Sequence, residues 1–307
     1  MIKKNLIIGA TILDIIMEIP RLPKSGEDVY AKNQIMSIGG CAYNVANIHK
    51  NFNAPYTLFA PIGRGIYGSF IESKLIEMGH EILIKSNKKD NGYCLSFVED
   101  NGERTFLTYP GIECEYSSEW FDQINPLDYK GVYISGYEIE GEGGQAIIDF
   151  LERNTHLSIY FGPGPRITYI EDWKLEKIFS LNPIIHLNEA EIKEYKKEPS
   201  IEQAIVRIEE KTKSPVVVTL GGAGACLYEN KRFITIPAIS TKVVDTIGAG
   251  DSHIATIMAM QTFGMSLQKS CALANQIAAK VVSTKGPTLN KNLFREGEFI
   301  YDNCNEN

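Results

Sequence analysis

Short apolar runs recur along the chain at residues 6–10, 56–60, 132–135, 157–161, 184–187 and 215–220, with amphipathic stretches between most of them. A strand buried on both faces has no polar side to show. Such runs alternating with helices therefore predict an α/β fold, a mostly parallel sheet sandwiched by helices. The spacing predicts a helix over 266–283, with Leu267, Cys271, Ala274, Ala278 and Val281 on one stripe. Gly264 separates it from an apolar helix expected over 254–263. Two stretches follow a different period: residues 28–38 and 93–109, the second around the turn Glu99-Asp100-Asn101-Gly102, alternate apolar and polar side chains. That alternation predicts a small antiparallel β sheet with one face open, projecting either as a lid over a cleft or as a fixed edge extension.

The 307 residues suffice for one large domain over 1–307 with this insertion, and nothing in the pattern requires two. A hydrophobic content of 44% with 22% charged residues is that of a globular chain. A net charge of -7 and a pI near 5.4 argue against nucleic acid as a partner, because no basic surface is available to track its phosphates. Lys3 and Lys4 before the apolar residues 6–10 mimic the start of a signal peptide. Asp14 and Glu18 interrupt it, and no apolar run approaches the roughly 18 residues of a membrane span. Residues 6–10 thus read as a first buried strand, and the expected compartment is cytoplasmic. Six cysteines without C-x-x-C spacing give neither a disulfide framework nor a zinc site, which fits a reducing environment. The five histidines show no metal-binding pair at helical spacing.

The strongest chemical signal is Val243-Val244-Asp245-Thr246-Ile247-Gly248-Ala249-Gly250-Asp251-Ser252-His253, leading into the apolar helix. Glycines let backbone N–H groups approach a ligand closely, and a helix beginning at 248–251 would aim unpaired amides and its positive end at an anion. Asp251 in that first turn has two readings, a catalytic carboxylate or a residue that merely favours the helix start. The segment is not a Walker A loop, and residues 6–11 do not continue into G-x-G-x-x-G. A second glycine cluster, Thr219-Leu220-Gly221-Gly222-Ala223-Gly224, closes the run 215–220 and reads either as a ligand loop or as a tight turn between strands.

Asp245-Thr246-x-Gly248-Ala249-Gly250-Asp251 resembles the C-terminal signature of the ribokinase-like PfkB carbohydrate kinases, and Gly39-Gly40-x-x-x-Asn44-x-Ala46 resembles the N-terminal one. Asp14, Asn188-x-x-Glu191 and Thr219-x-Gly221 fall in the family's order between and before them, so the resemblance spans nearly the whole chain. It implies a ribokinase-like fold and ATP-dependent phosphorylation of a hydroxymethyl group, with Asp251 as general base and the Gly248, Ala249 and Gly250 amides as an anion hole. It further implies that Asp14, Gly39, Gly40, Asn44 and Glu138 bind the acceptor, and that Asn188 and Glu191 organise magnesium partly through water. Thr219, Gly221, Gly224 and Asn275 would lie by the nucleotide. Asp245 and Ile247 would belong to a loop for a monovalent cation such as potassium, and two copies would pair through the small sheet.

Three departures bear on the acceptor. Cys41 stands where ribokinases proper carry a lysine, which argues against D-ribose. His253 replaces a usual aromatic residue, and inside an apolar helix it reads as a packed or hydrogen-bonded core histidine. The segment Gly63-Arg64-Gly65-Ile66-Tyr67-Gly68 lacks the acidic residue common there. A nucleoside kinase of the same fold, and a sugar- or nucleotide-binding regulator without catalysis, remain the alternatives.

Overall fold

The computed structural model describes residues 2–195 and 198–284. The strands are β1 (Lys4–Ile8), β2 (Ile12–Ile19), β3 (Asn33–Gly39), β4 (Tyr56–Phe59), β5 (Pro61–Gly63), β6 (Ile84–Ser86), β7 (Tyr93–Glu99), β8 (Arg104–Tyr109), β9 (Tyr129–Ser135), β10 (Ser158–Gly162), β11 (Ile184–Asn188), β12 (Val216–Thr219), β13 (Ala225–Glu229) and β14 (Arg232–Ile236). The helices are α1 (Cys41–Asn51), α2 (Ile66–Glu77), α3 (Gly136–Glu140), α4 (Gly144–Arg153), α5 (Asp172–Ser180), α6 (Glu189–Tyr195), α7 (Ile201–Thr212), α8 (Ala249–Thr262) and α9 (Leu267–Val282).

The six apolar runs become β1, β4, β9, β10, β11 and β12, all parallel, in an eight-stranded sheet of order β14-β13-β12-β11-β10-β9-β1-β4. Successive side chains point to opposite faces, and the core divides accordingly. Leu6, Ile8, Val132, Ile134, Ile159 and Phe161 join one cluster, beneath α4, α5 and α7. Ile7, Tyr133 and Tyr160 join the other, beneath α1, α8 and α9. This ribokinase-like α/β architecture is the expected one. The last two strands, β13 and β14, add antiparallel through a two-residue turn in which Asn230 and Lys231 both adopt positive φ.

The small sheet is also present, but it has four strands in the order β3-β2-β7-β8. Its outer pairs, β2–β3 and β7–β8, are antiparallel as expected, while the central β2–β7 pair is parallel. Residues 93–109 form β7 and β8, whereas regular pairing in the first stretch begins only at Asn33, so 28–32 carry no strand. The register puts Asp14, Ser37, Cys94 and Thr108 in one row across the sheet. By the two-residue period, Ile16, Ile35, Ser96, Phe106 and Arg104 share that face.

In α9, Leu267, Cys271, Ala274 and Val281 are buried as the spacing predicts, together with Ile277, while Ala278 sits at the margin. Helix α8 is buried on nearly all sides because it packs against α1 and α9 as well as the sheet. Among the described residues no helix is long and apolar enough to cross a membrane.

Candidate active site

Strand β1 lies between β4 and β9, so the chain leaves the carboxyl end of β1 toward one side and returns on the other. Such a reversal opens a crevice above the strand ends, and the residues singled out in the sequence gather there. Asp14 arrives on β2, just past β1. Gly39 and Gly40 end β3 and start α1. Glu138 follows β9, and the turn 248–251 starts α8.

The paired glycines are steric necessities. Gly40 has φ 102°, and a Cβ on it would lie 2.5 Å from the Ala10 carbonyl oxygen. A Cβ on Gly39 would collide with the Asp14 carboxylate. With neither present, α1 begins directly against the β1–β2 connection, and Asn44, one turn in, donates from Nδ2 to Asp251 Oδ2 at 2.7 Å. The Cys41 thiol also hydrogen-bonds the Asp251 carboxylate. Burial raises Asp251 above the usual carboxylate range, against these two hydrogen bonds. Burial, and then the Asp251 charge, push Asp14 up to about 7. Two carboxylates thus lie close enough to feel each other, with Asp251 held by Asn44 and Cys41, an arrangement that can take up a proton near neutrality.

Gly248 caps α8 in the left-handed region, φ 74°, and no side chain caps the first amides of the helix. The Ala249 N–H also donates to the Thr246 carbonyl at 3.3 Å. Above Gly250, Gly221 and Gly222 there is open space. The Thr219–Gly224 cluster is a turn between antiparallel β12 and β13, and Gly224 is tight enough that a Cβ would strike the Ile236 carbonyl oxygen. Asn188 and Glu191, at the β11–α6 junction, bond each other reciprocally. Asn188 N and Nδ2 donate to the Glu191 carboxylate at 2.9 and 2.8 Å, and Glu191 N donates to Asn188 Oδ1 at 2.8 Å. Burial, then the Asp251 charge, raise Glu191 against the hydrogen bond from Asn188. The pair suits magnesium held through water, since it presents oxygens without closing a cage. No cluster of three or more metal-ligating side chains occurs among the described residues.

Other expected residues sit deeper than their implied roles suggest. Glu138, 1% exposed, accepts from Ala10 N at 2.9 Å and from Ser135 Oγ. Burial pushes it up to about 7 despite those bonds. Asn275, 7% exposed, donates to the Ile236 and Pro237 carbonyls at 3.1 and 2.9 Å and bonds His253 Nε2 through Oδ1 at 3.1 Å. His253 in turn meets His186 at 2.9 Å, and burial lowers both rings, His253 to about 4. His253 is thus the hydrogen-bonded core histidine expected of its helix. One residue past Asn275, Gln276 lines a cleft of about 320 Å³ with Ile239, Ser240 and Thr241.

The Asp245 carboxylate is engaged by Arg104 of β8, at 2.6 and 2.9 Å, and by Ile247 N at 3.0 Å. A carboxylate so occupied fits poorly as a ligand to a monovalent cation. Several contributors were missed in the sequence because their partners are distant in the chain. Arg104 is one. Ser37 and Ser96 went unnoticed for another reason, since their buried hydroxyls have no hydrogen-bond partner among the described residues. Asp90 is another with distant partners: it accepts from Tyr67 N and Gly68 N at the start of α2, supplying a carboxylate that segment 63–68 lacks.

The sequence profile of pfkB family carbohydrate kinases matches residues 2–292. The uncharacterized sugar kinase YegV of Escherichia coli K12 is 32% identical over 285 residues, covering 92% of this chain and 89% of that protein. In fold, the chain matches an Arabidopsis thaliana ribokinase complexed with ribose and ATP with a TM-score of 0.78, at 22% identity over 93% of this chain and 94% of that one. It matches a Methanocaldococcus jannaschii nucleoside kinase with a TM-score of 0.77, at 21% identity over 94% of each chain. Two glycine motifs meeting across one crevice, and a profile match running nearly end to end, lead to the same statement: the chain belongs to the pfkB family of carbohydrate kinases.

Proposed function

We propose that the protein transfers the γ-phosphoryl group of ATP to a hydroxymethyl group of a sugar or sugar-like molecule, with Asp251 as the general base. The observation that carries this is the placement of Asp251: in the first turn of α8, beside the Gly248 turn, bonded by Asn44 and facing Asp14. The acceptor hydroxyl gives its proton to the Asp251 carboxylate as its oxygen bonds to phosphorus, and the bond to the bridging oxygen of ADP breaks. Amides of Gly248, Ala249 and Gly250 meet the charge on the transferring group, a task of position and electrostatics. Asp14, Asn44 and the backbone at Gly39 and Gly40 orient the acceptor's hydroxyls, and the unpartnered Ser37 and Ser96 hydroxyls on the same face suit a polyhydroxy ligand. Asn188 and Glu191 would hold the magnesium that offsets phosphate charge when bound. The nucleotide would run past the open Gly221–Gly222 surface toward the cleft at Gln276.

A nucleoside acceptor is the second reading, favoured by Ile35 and Phe106, whose exposed apolar side chains on the Asp14 face would take a base. On the opposite face Met36, Leu107 and Tyr109 are exposed, which supports pairing of two copies through this sheet. The test is a panel of sugars, sugar acids and nucleosides assayed for ADP release with ATP and magnesium. Asp251→Asn should lower kcat on the productive acceptor roughly 10²–10⁴-fold. Wild-type kcat in the folded variant would rule out the base, and ligand binding without ADP release on any acceptor would favour a regulator.

A further inference from the structure

Through Arg104 of β8, the small sheet reaches the loop before the catalytic turn. Strand β8 is an edge strand, and from Thr105 to Tyr109 it is exposed; Arg104 alone is part-buried. The register aligns Arg104 with Val98 of β7 and, through it, Glu18 of β2, which places it on the face that carries Asp14. From there its guanidinium grips both oxygens of Asp245, whose side chain is 4% exposed. Asp245 Oδ1 also accepts the Ile247 N–H at 3.0 Å, and the next residue is Gly248, the left-handed cap of α8. The other flank of this loop is tied to α9, with Val244 N and Asp245 N both donating to the Val282 carbonyl, at 2.7 and 3.1 Å. Val243 and Val244 are 61% and 46% exposed, so side-chain packing contributes little to holding the loop in shape.

We infer that Arg104 is the positioning residue through which the small sheet sets the geometry of the anion-hole turn. This rests on the phosphoryl-transfer reading. A bidentate guanidinium fixes the carboxylate plane, and that plane fixes the Ile247 amide and hence the turn at Gly248. Without it, the Asp245 carboxylate loses the fork that fixes its plane, and the Ile247 N–H loses a fixed acceptor. A lysine supplies charge without the planar fork, so it does not fix the carboxylate plane. The sheet that carries Asp14 to the acceptor therefore also holds the amides that receive phosphoryl charge, so acceptor position and anion-hole shape are set together.

The experiment uses Arg104→Ala, Arg104→Lys, Asp245→Asn and the Arg104→Ala/Asp245→Asn double variant, each checked for a wild-type melting profile. Deuterium exchange at the amides of 246–250 is read in ligand-free protein, where it owes nothing to catalysis. It should quicken at least about tenfold in Arg104→Ala, from loss of a charge-assisted contact. On the acceptor found by the panel, kcat should fall on the order of 10²-fold, as for a misplaced catalytic group, with acceptor KM little changed. Arg104→Lys should recover only a small part, added guanidinium should restore part of the Arg104→Ala rate, and the double variant should be no slower than the worse single one. Unchanged exchange, or a loss confined to KM, overturns the assignment. If wild-type protein releases no ADP with any acceptor, the kinase reading fails, and the exchange result still decides whether Arg104 orders the turn.

Discussion

Glu138 makes a sharp test of how burial sets the electrostatics of this crevice. At 1% exposed it has exchanged water for Ala10 N and Ser135 Oγ, and its carboxyl rises from 4.5 to about 7. The folded protein therefore binds this proton more tightly than the unfolded chain. The stability lost lies above the unfolded value and accumulates as pH rises toward 7. A rise of this size is worth about 3 kcal/mol, most of which accrues between pH 5 and pH 8. The buried histidines act with the opposite sign: His49, His80 and His253 are each lowered to about 4, so folding gains from them as pH rises through their unfolded range. The wild-type profile alone thus conceals the carboxyl, whereas a comparison with Glu138→Gln cancels the histidines. Urea unfolding of both proteins between pH 5 and pH 8 should show the stability difference, wild type minus variant, falling by about 2–3 kcal/mol. Parallel profiles would mean that Glu138 titrates normally and that the crevice floor is better solvated than its packing indicates.

Gly40→Ala should cost about 2–4 kcal/mol by urea unfolding, from a positive φ combined with a Cβ 2.5 Å from the Ala10 carbonyl oxygen; wild-type stability would refute the contact. Asn188→Ala and Glu191→Ala should each raise the magnesium concentration for half-maximal rate about tenfold, while an unchanged titration in both removes them from the metal's surroundings. Asn275→Ala should lower stability by about 2–4 kcal/mol in calorimetry, because two backbone carbonyls and His253 lose their partner. If it instead raises the KM for ATP with stability intact, Asn275 is a nucleotide contact.

The central sheet was legible because doubly buried strands must be apolar throughout, and all six runs became parallel strands. Strand β2 was not, since it follows β1 after only Gly9, Ala10 and Thr11, and Asp14 and Glu18 break its apolar run. The β13–β14 hairpin escaped for a local reason: Asn230 and Lys231 hold positive φ without the glycine that usually marks such a turn. At the site, glycines required by close backbone approach announced themselves through motif spacing. Contacts such as Arg104 with Asp245, 141 residues apart, leave no periodic trace and emerge only when the sheets are in place.

The bond between Asn44 and Asp251 joins residues 207 positions apart. During synthesis the ribosome completes the helix bearing Asn44 long before the aspartate exists, and every strand of the central sheet precedes α8. A nascent or truncated chain can thus present Asn44 while lacking Asp251 altogether. Under the proposed mechanism, ATP turnover is in consequence a readout of finished folding, silent in any fragment that ends before α8.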